Sequence, residues 1–370
     1  MNQITKTVKR VSHVELFFDL VFVFALSVAT DVTAENLTAR GLLQGLLVLA
    51  LLWWAWVGFS WLGTNVHADQ GRMVLAFLIA AGGILLVTIL GKDWYGQDNA
   101  AVIAALAYVS VRAIQLVLYW RLGRDSPELR DATRRLTIGA GIGGVLLLIG
   151  AAVGGTAQII LVAAAVLIDF GSALLKGGRG WRVSPAHFAE RYGLFIIIAL
   201  GEVIIATGIA STSTVVTVKV VIPILIAFIL TTAVWFVYFR AVSSPVEIAL
   251  TAQPMERQPV LARDVYSYLH FVTLLGIFMM ALALKKTIAK VGDVGLDAHL
   301  YDVPAFALGV GVSLILMRMR VGAPVPRSAW VGLVVAIAFG AFAMTLPAIV
   351  VAGGMFVAIA LSARRPPTAA

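Results

Sequence analysis

Apolar stretches of about 18 to 22 residues follow one another from near residue 13 to near residue 364, joined by short polar connections. A hydrocarbon core of roughly 30 Å takes about 20 helical residues to cross, and the stretches lack the in–out alternation of barrel strands. Composition agrees, with 61% of residues hydrophobic and 13% charged, against roughly 45–50% and about 25% in soluble domains. The chain therefore reads as all-α, a polytopic transmembrane helical bundle. Twelve spans are expected, near 13–33, 40–62, 72–91, 99–120, 136–153, 157–175, 190–210, 217–240, 265–285, 303–318, 328–346 and 348–364. Pro347 marks the hairpin between the last two, since proline ends or kinks a helix. The first segment runs on without a small-residue cleavage site, so it reads as a retained span rather than a signal peptide.

The 28 Lys and Arg residues divide unevenly among the loops. With the N-terminus inside, about three quarters of them fall on the inner side, and the outer side receives Arg40, Lys92, Lys219, Lys285, Lys286 and Lys290. Basic loops stay in the cytoplasm, so both termini are expected on that side of the membrane. The same asymmetry accounts for the net charge of +9 without nucleic acid, because the excess faces anionic lipid headgroups. The absence of cysteine rules out disulfides and Cys-ligated zinc or iron–sulfur centres, and nothing calls for a cofactor. The loops are too short for a catalytic domain, so any chemistry belongs within or beside the bundle.

The two halves echo each other. His13-Val-Glu15-Leu-Phe17 resembles His187-Phe-Ala-Glu190-Arg-Tyr192, and Trp53-Trp54-Ala-Trp56 in the second span corresponds to Trp235-Phe-Val-Tyr238 in the eighth. Six-helix repeats are expected over 1–180 and 181–370. Each holds an even number of spans, so the repeats are parallel, about an axis along the membrane normal.

The run HVELFFDLVFVFAL at 13–26, with HFAERYGLFIIIALGE at 187–202, resembles the bacterial low-temperature-requirement A family of polytopic membrane proteins. The matching residues are His13, Glu15, Phe17, Phe18 and Asp19 in the first motif, and His187, Glu190, Arg191, Tyr192, Gly193, Gly201 and Glu202 in the second. The resemblance covers most of the chain and implies a multi-span helical fold and a role named for growth in the cold. Chemistry has to be read from the residues.

Ionisable groups inside apolar spans are costly and point to function by default. At a rise of about 1.5 Å per residue, Asp19, Asp169, Arg112 and His270 come to one layer, roughly 8 to 12 Å in from the cytoplasmic side, and Gln115 extends it. Glu15 lies one turn from Asp19 on the same helix face, which suggests a polar entrance. Glu202 falls near mid-membrane, where a central acid costs about 2.5–3.5 kcal/mol, so it is expected to carry a proton or to be paired across the bundle; the aligned position in the first half is near Ser27. Glu15, His187, Glu190 and Arg191 are placed at the interface, where charges can snorkel or cap helices.

Bland readings stand beside these. Asp19, Asp169 and Arg112 can form an ion cluster that only pins packing, and His270 can be a satisfied core histidine. His187-x-x-Glu190 supplies two groups, too few for a metal site. Trp53, Trp54, Trp56 and Trp61 read as core or interfacial belt, with room for an aromatic cavity. Gly139-Ala-Gly141-Ile-Gly-Gly144 has dinucleotide-fingerprint spacing but no preceding strand, and Gly139-x-x-x-Gly143 reads as close helix packing.

Three functions remain open. The first is a proton- or cation-coupled permease in which Asp19, Glu202 and Asp169 carry the ion and Glu15, Arg112, Gln115, His187, Glu190, Arg191 and His270 meet the substrate, with Arg112 either neutralising Asp19 or holding an anion. The second is an intramembrane enzyme using the same acids on a lipid or isoprenoid chain. The third is a channel or a structural cold-adaptation protein. The bilayer is the one partner the sequence names; the small molecule, ion or lipid is open.

Overall fold

The computed structural model describes residues 10–95, 99–175, 180–212, 218–289, 302–341 and 348–362. Among these residues every regular element is helical. The first half contains α1 (His13–Glu35), α2 (Ala39–Asn65), α3 (Arg72–Leu90), α4 (Asn99–Leu122), α5 (Pro127–Val153) and α6 (Gly155–Ser172). The second begins with α7 (Pro185–Thr212) and α8 (Val218–Val237), which runs through a π turn at Tyr238–Ser243 into α9 (Ser244–Thr251). Next come α10 (Gln258–Ala262), a second π turn at Arg263–Leu269, and α11 (His270–Ala289). The chain continues with α12 (Asp302–Val321), α13 (Arg327–Ala341) and α14 (Ala348–Ser362).

Among the described residues, nine helical segments are long and apolar enough to cross a membrane. Each of the twelve expected spans coincides with a helix, while Pro347 lies outside the described residues. Start signals shift some boundaries. The helix expected from 136 begins at Pro127, whose missing N–H suits the first turn, and Ser126 accepts a 3.3 Å hydrogen bond from the Leu129 N–H. α7 begins at Pro185 and not at 190. α5 turns directly into α6 through Gly154 and Gly155, at φ +71° and +61°, backbone angles open to glycine and costly for other residues.

Lipid tails are as apolar as leucine, so helices in a bilayer associate through close packing rather than hydrophobic drive. A Cβ on Gly139 would overlap Ser172, and one on Gly143 would come 3.3 Å from the Ala165 carbonyl, so the glycine pattern of α5 serves the α5–α6 contact. Gly332 does the same between α13 and α14. On the outside of α5, Ile138, Ile142, Val145, Ile149 and Val153 are exposed as a lipid-facing stripe. α2 is the opposite case, buried on every side from Leu47 to Gly63. At the centre α1 packs on α7, with α2 and α3 against α1 and α8 and α11 against α7.

Candidate functional site

The first motif opens α1. Ser12 is its N-cap, and Glu15 reaches back so that Oε2 accepts hydrogen bonds from the Ser12 N–H and Oγ, both 2.9 Å. That fixes Glu15 with its other oxygen turned into the protein. Arg191 of α7 meets it there: one guanidinium nitrogen is 2.7 Å from Glu15 Oε1 and the other donates to Asp19 Oδ1 at 2.7 Å. His187, one turn before Arg191, lies 3.3 Å from Glu15 Oε1, and its Nδ1 is 3.1 Å from Thr64 Oγ1. Trp56 of α2 donates its indole N–H to Asp19 Oδ1 at 2.7 Å, and the guanidinium lies 5.6 Å from its ring centroid. Asp19 is fully buried and its Oδ2 has no hydrogen-bond partner. Two acids on one helix thus share one arginine on another, and Gly63 lets α2 approach so closely that a Cβ there would overlap Glu15.

Above this network the α1–α7 interface turns aromatic. Phe22 packs on Phe195 at 6.1 Å between ring centroids, and Phe195 also meets Trp56 at 4.2 Å and Trp53 at 5.3 Å. Beyond that layer Ser27 Oγ donates to Glu202, and Lys285 of α11 pairs with Asp31 of α1. The polar groups of this interface therefore form two centres with an aromatic barrier between them.

Arg112 does not join Asp19. Its terminal nitrogen donates to both oxygens of Asp169 on α6 at 2.9 Å, and the other terminal nitrogen bonds Gln115. Gly58 makes room for Gln115, whose side chain a Cβ would overlap, and its carbonyl accepts the Tyr119 hydroxyl. Arg112 and Gln115 line an open cavity of about 690 Å³, counting its mouth, at the end of the bundle where α1 and α7 begin.

The expected single layer is thus three separate networks: Asp19 with Arg191 and Trp56, Arg112 with Asp169 and Gln115, and His270 with Tyr238. Equal depth does not decide partners; the angular position of each side chain does. His270 is a satisfied core histidine. Its Nδ1 faces the Val265 carbonyl at 2.9 Å and so donates, leaving Nε2 to accept from the Tyr238 hydroxyl at 2.8 Å. Glu15, Arg191 and His187 are buried, contrary to their interfacial placement, while Glu190 is exposed as expected and accepts from the Val11 N–H at 3.2 Å. Trp53, Trp54, Trp56 and Trp61 are all core. Among the described residues no group of three or more His, Asp or Glu is placed to hold a metal ion.

Sequence reasoning missed Arg191 as the partner of both acids. The signal was present, since Glu15 and Asp19 are acids at i, i+4 early in α1, and Arg191 lies in the motif that opens the corresponding helix of the second half. It also missed the two π turns, a departure common at functional sites. Ser267 in the second one accepts the Trp53 indole N–H on its carbonyl at 2.8 Å and the Trp61 indole N–H on its hydroxyl at 2.9 Å.

A family model described as bacterial low temperature requirement A protein matches residues 10–363. A curated relative, an uncharacterized protein of Rhizobium meliloti (strain 1021), is 24% identical over 297 residues, which cover 77% of this chain and 71% of its own. No solved structure matches the chain.

Proposed function

The chain belongs to the bacterial low temperature requirement A family, and from that premise we propose that it is a proton- or cation-coupled carrier of the cytoplasmic membrane. The observation that carries this reading is the α1–α7 interface, with Glu15, Arg191 and Asp19 toward one end, Ser27 and Glu202 toward the other, and Phe22 and Phe195 between them. A carrier needs ion-binding groups reached from opposite sides and a barrier that prevents both from opening at once. Glu202, near mid-membrane, is the group proposed to take up the ion, and Asp19 its counterpart on the inner side.

Matched packing supports a six-plus-six organisation over 1–180 and 181–370. α1 with α2 and α3, α3 with α4, α4 with α5, α5 with α6 and α2 with α6 are echoed by α7 with α8 and α11, α11 with α12, α12 with α13, α13 with α14 and α8 with α14. In this reading the halves rock about α1 and α7, the geometry common in carriers with internal repeats, and the basic end where α1 and α7 begin faces the cytoplasm.

The test is flux in sealed liposomes. Purified protein should collapse an imposed proton gradient in the presence of its solute, as followed by an internal pH dye, and Glu202→Gln should remove that coupling. Vesicles that stay tight with every solute class, or a flux whose pH dependence Glu202→Gln leaves untouched, would overturn the assignment.

A further inference from the structure

The cavity beside Arg112 has a one-sided charge. Arg112, Arg135 and Arg263 line it together with Trp54, Trp61 and Trp181, whereas Asp169, Asp131 and Asp264, which pair with those arginines, do not. The lining therefore carries three arginines and three tryptophans, while the carboxylates paired with those arginines are not part of it. Planar guanidinium donors suit carboxylate and phosphate oxygens. Arg112 is itself buried, and its Nε has no hydrogen-bond partner.

On the far side of Arg112 a second hollow of about 570 Å³, counting its mouth, runs between α4, α5 and α6; Asp169 stands on its wall beside Arg112, and the rest is mainly apolar, with Val109, Gly144 and Leu147. Arg112 and Leu116 line both hollows. The α4–α6 hollow lies beside the lipid-facing stripe of α5, where Ile138, Ile142 and Val145 are exposed. A small soluble anion would use the arginine-lined cavity and leave the apolar hollow without purpose. An anion that carries a hydrocarbon chain uses both.

We propose that the two hollows form one site for a single-chain anionic amphiphile, its carboxylate or phosphate head held by Arg112 with Arg135 and Arg263, and its tail in the α4–α6 crevice open to the membrane. The site names the substrate class of the carrier reading and rests on that reading only for what happens after binding. The Arg112–Asp169 pair stands at the junction, so a head that engages Arg112 competes with Asp169 for it.

The experiment is equilibrium photolabelling of the full chain in nanodiscs, with no gradient, using a long-chain fatty acid that carries a diazirine on its tail. Label should map to the α4–α5 peptides, and oleate or monooleyl phosphate should compete for it; whichever does so at the lower concentration identifies the head. Oleyl alcohol and hexanoate should compete at least tenfold more weakly. The Arg112→Gln/Asp169→Asn double variant, which removes the head site without stranding a charge, should lower labelling at least tenfold. So should Gly141→Phe, which fills the crevice at a position where an added Cβ meets nothing within 4 Å. Competition by hexanoate equal to oleate would make this a soluble-anion site and overturn the proposal, as would competition by oleyl alcohol or undiminished labelling in both variants. Labelling without flux would sink the carrier reading and leave this site standing; flux without labelling would do the reverse.

Discussion

Among the described residues two buried arginines, Arg191 and Arg112, are paired with carboxylates, and their surroundings differ. Arg191 lies between two acids of one neighbouring helix, Glu15 and Asp19, with Trp56 against its face, and the side chains of all three charged residues are no more than 1% exposed. Arg112 faces one acid, Asp169, keeps an unpartnered Nε, and opens on a cavity to one side and a crevice to the other. Both rely on a glycine of α2, Gly63 for the first and Gly58 for the second. The difference suggests a division of labour: the enclosed Arg191 holds α1 to α7 and neutralises the acids proposed to handle the ion, while Arg112, on a cavity wall, is available to an organic ligand.

The largest effect should come from breaking the fastener. Arg191→Gln leaves two carboxylates one turn apart in a dry interface, and removing one partner of a buried pair costs about 3–5 kcal/mol. Arg112→Gln strands a single acid that stands on the wall of the α4–α6 hollow, so a smaller loss than for two stranded acids is expected. Chemical unfolding in detergent micelles would rank the two. Equal losses would erase the distinction between fastener and ligand site. Restoring neutrality with Glu15→Gln and Asp19→Asn should recover much of the Arg191→Gln loss.

A smaller effect tests the close approach beneath the first network. Gly63→Ala places a methyl where Glu15 Oε1 now lies, and overpacking of this kind costs about 1–3 kcal/mol. Glu15 would be pushed off Arg191 while every charge is kept. The loss measured by unfolding should shrink when Glu15→Gln is already present. A full loss on that background would place the strain in the α1–α2 backbone rather than in the ion network.

The sequence made the spans legible because hydropathy over about 20 residues reports burial in lipid directly. It also singled out all the acids of both networks, since a charge inside an apolar run stands out on its own. Partners were another matter. Starting the seventh span at 190 leaves Arg191 at the surface, whereas the helix begins at Pro185 and carries Arg191 deeper. Depth along a span follows from counting residues, but Asp19 and Arg112 share a depth and still face different helices. The π turns at Tyr238–Ser243 and Arg263–Leu269 left no trace in hydropathy, because the residues through them remain largely apolar. Nor could composition reveal that the lining of one cavity carries three arginines without the carboxylates paired with them.

The finest test of the comparison is whether the two networks ignore each other. Asp19 and Arg112 have no hydrogen-bond or ion-pair partner in common: Asp19 bonds Arg191 and Trp56, and Arg112 bonds Asp169 and Gln115. Independent sites add within about 0.3–0.5 kcal/mol, whereas members of one network show coupling of about 0.5–3 kcal/mol. Asp19→Asn and Arg112→Gln should therefore sum in a double-mutant unfolding cycle, although both residues pack near the tryptophans of α2. A coupling above about 1 kcal/mol would mean that α2 transmits strain between them. The fastener and the arginine-lined cavity would then be one device, and engaging a ligand at Arg112 would bear directly on the ion pairs that hold α1 to α7.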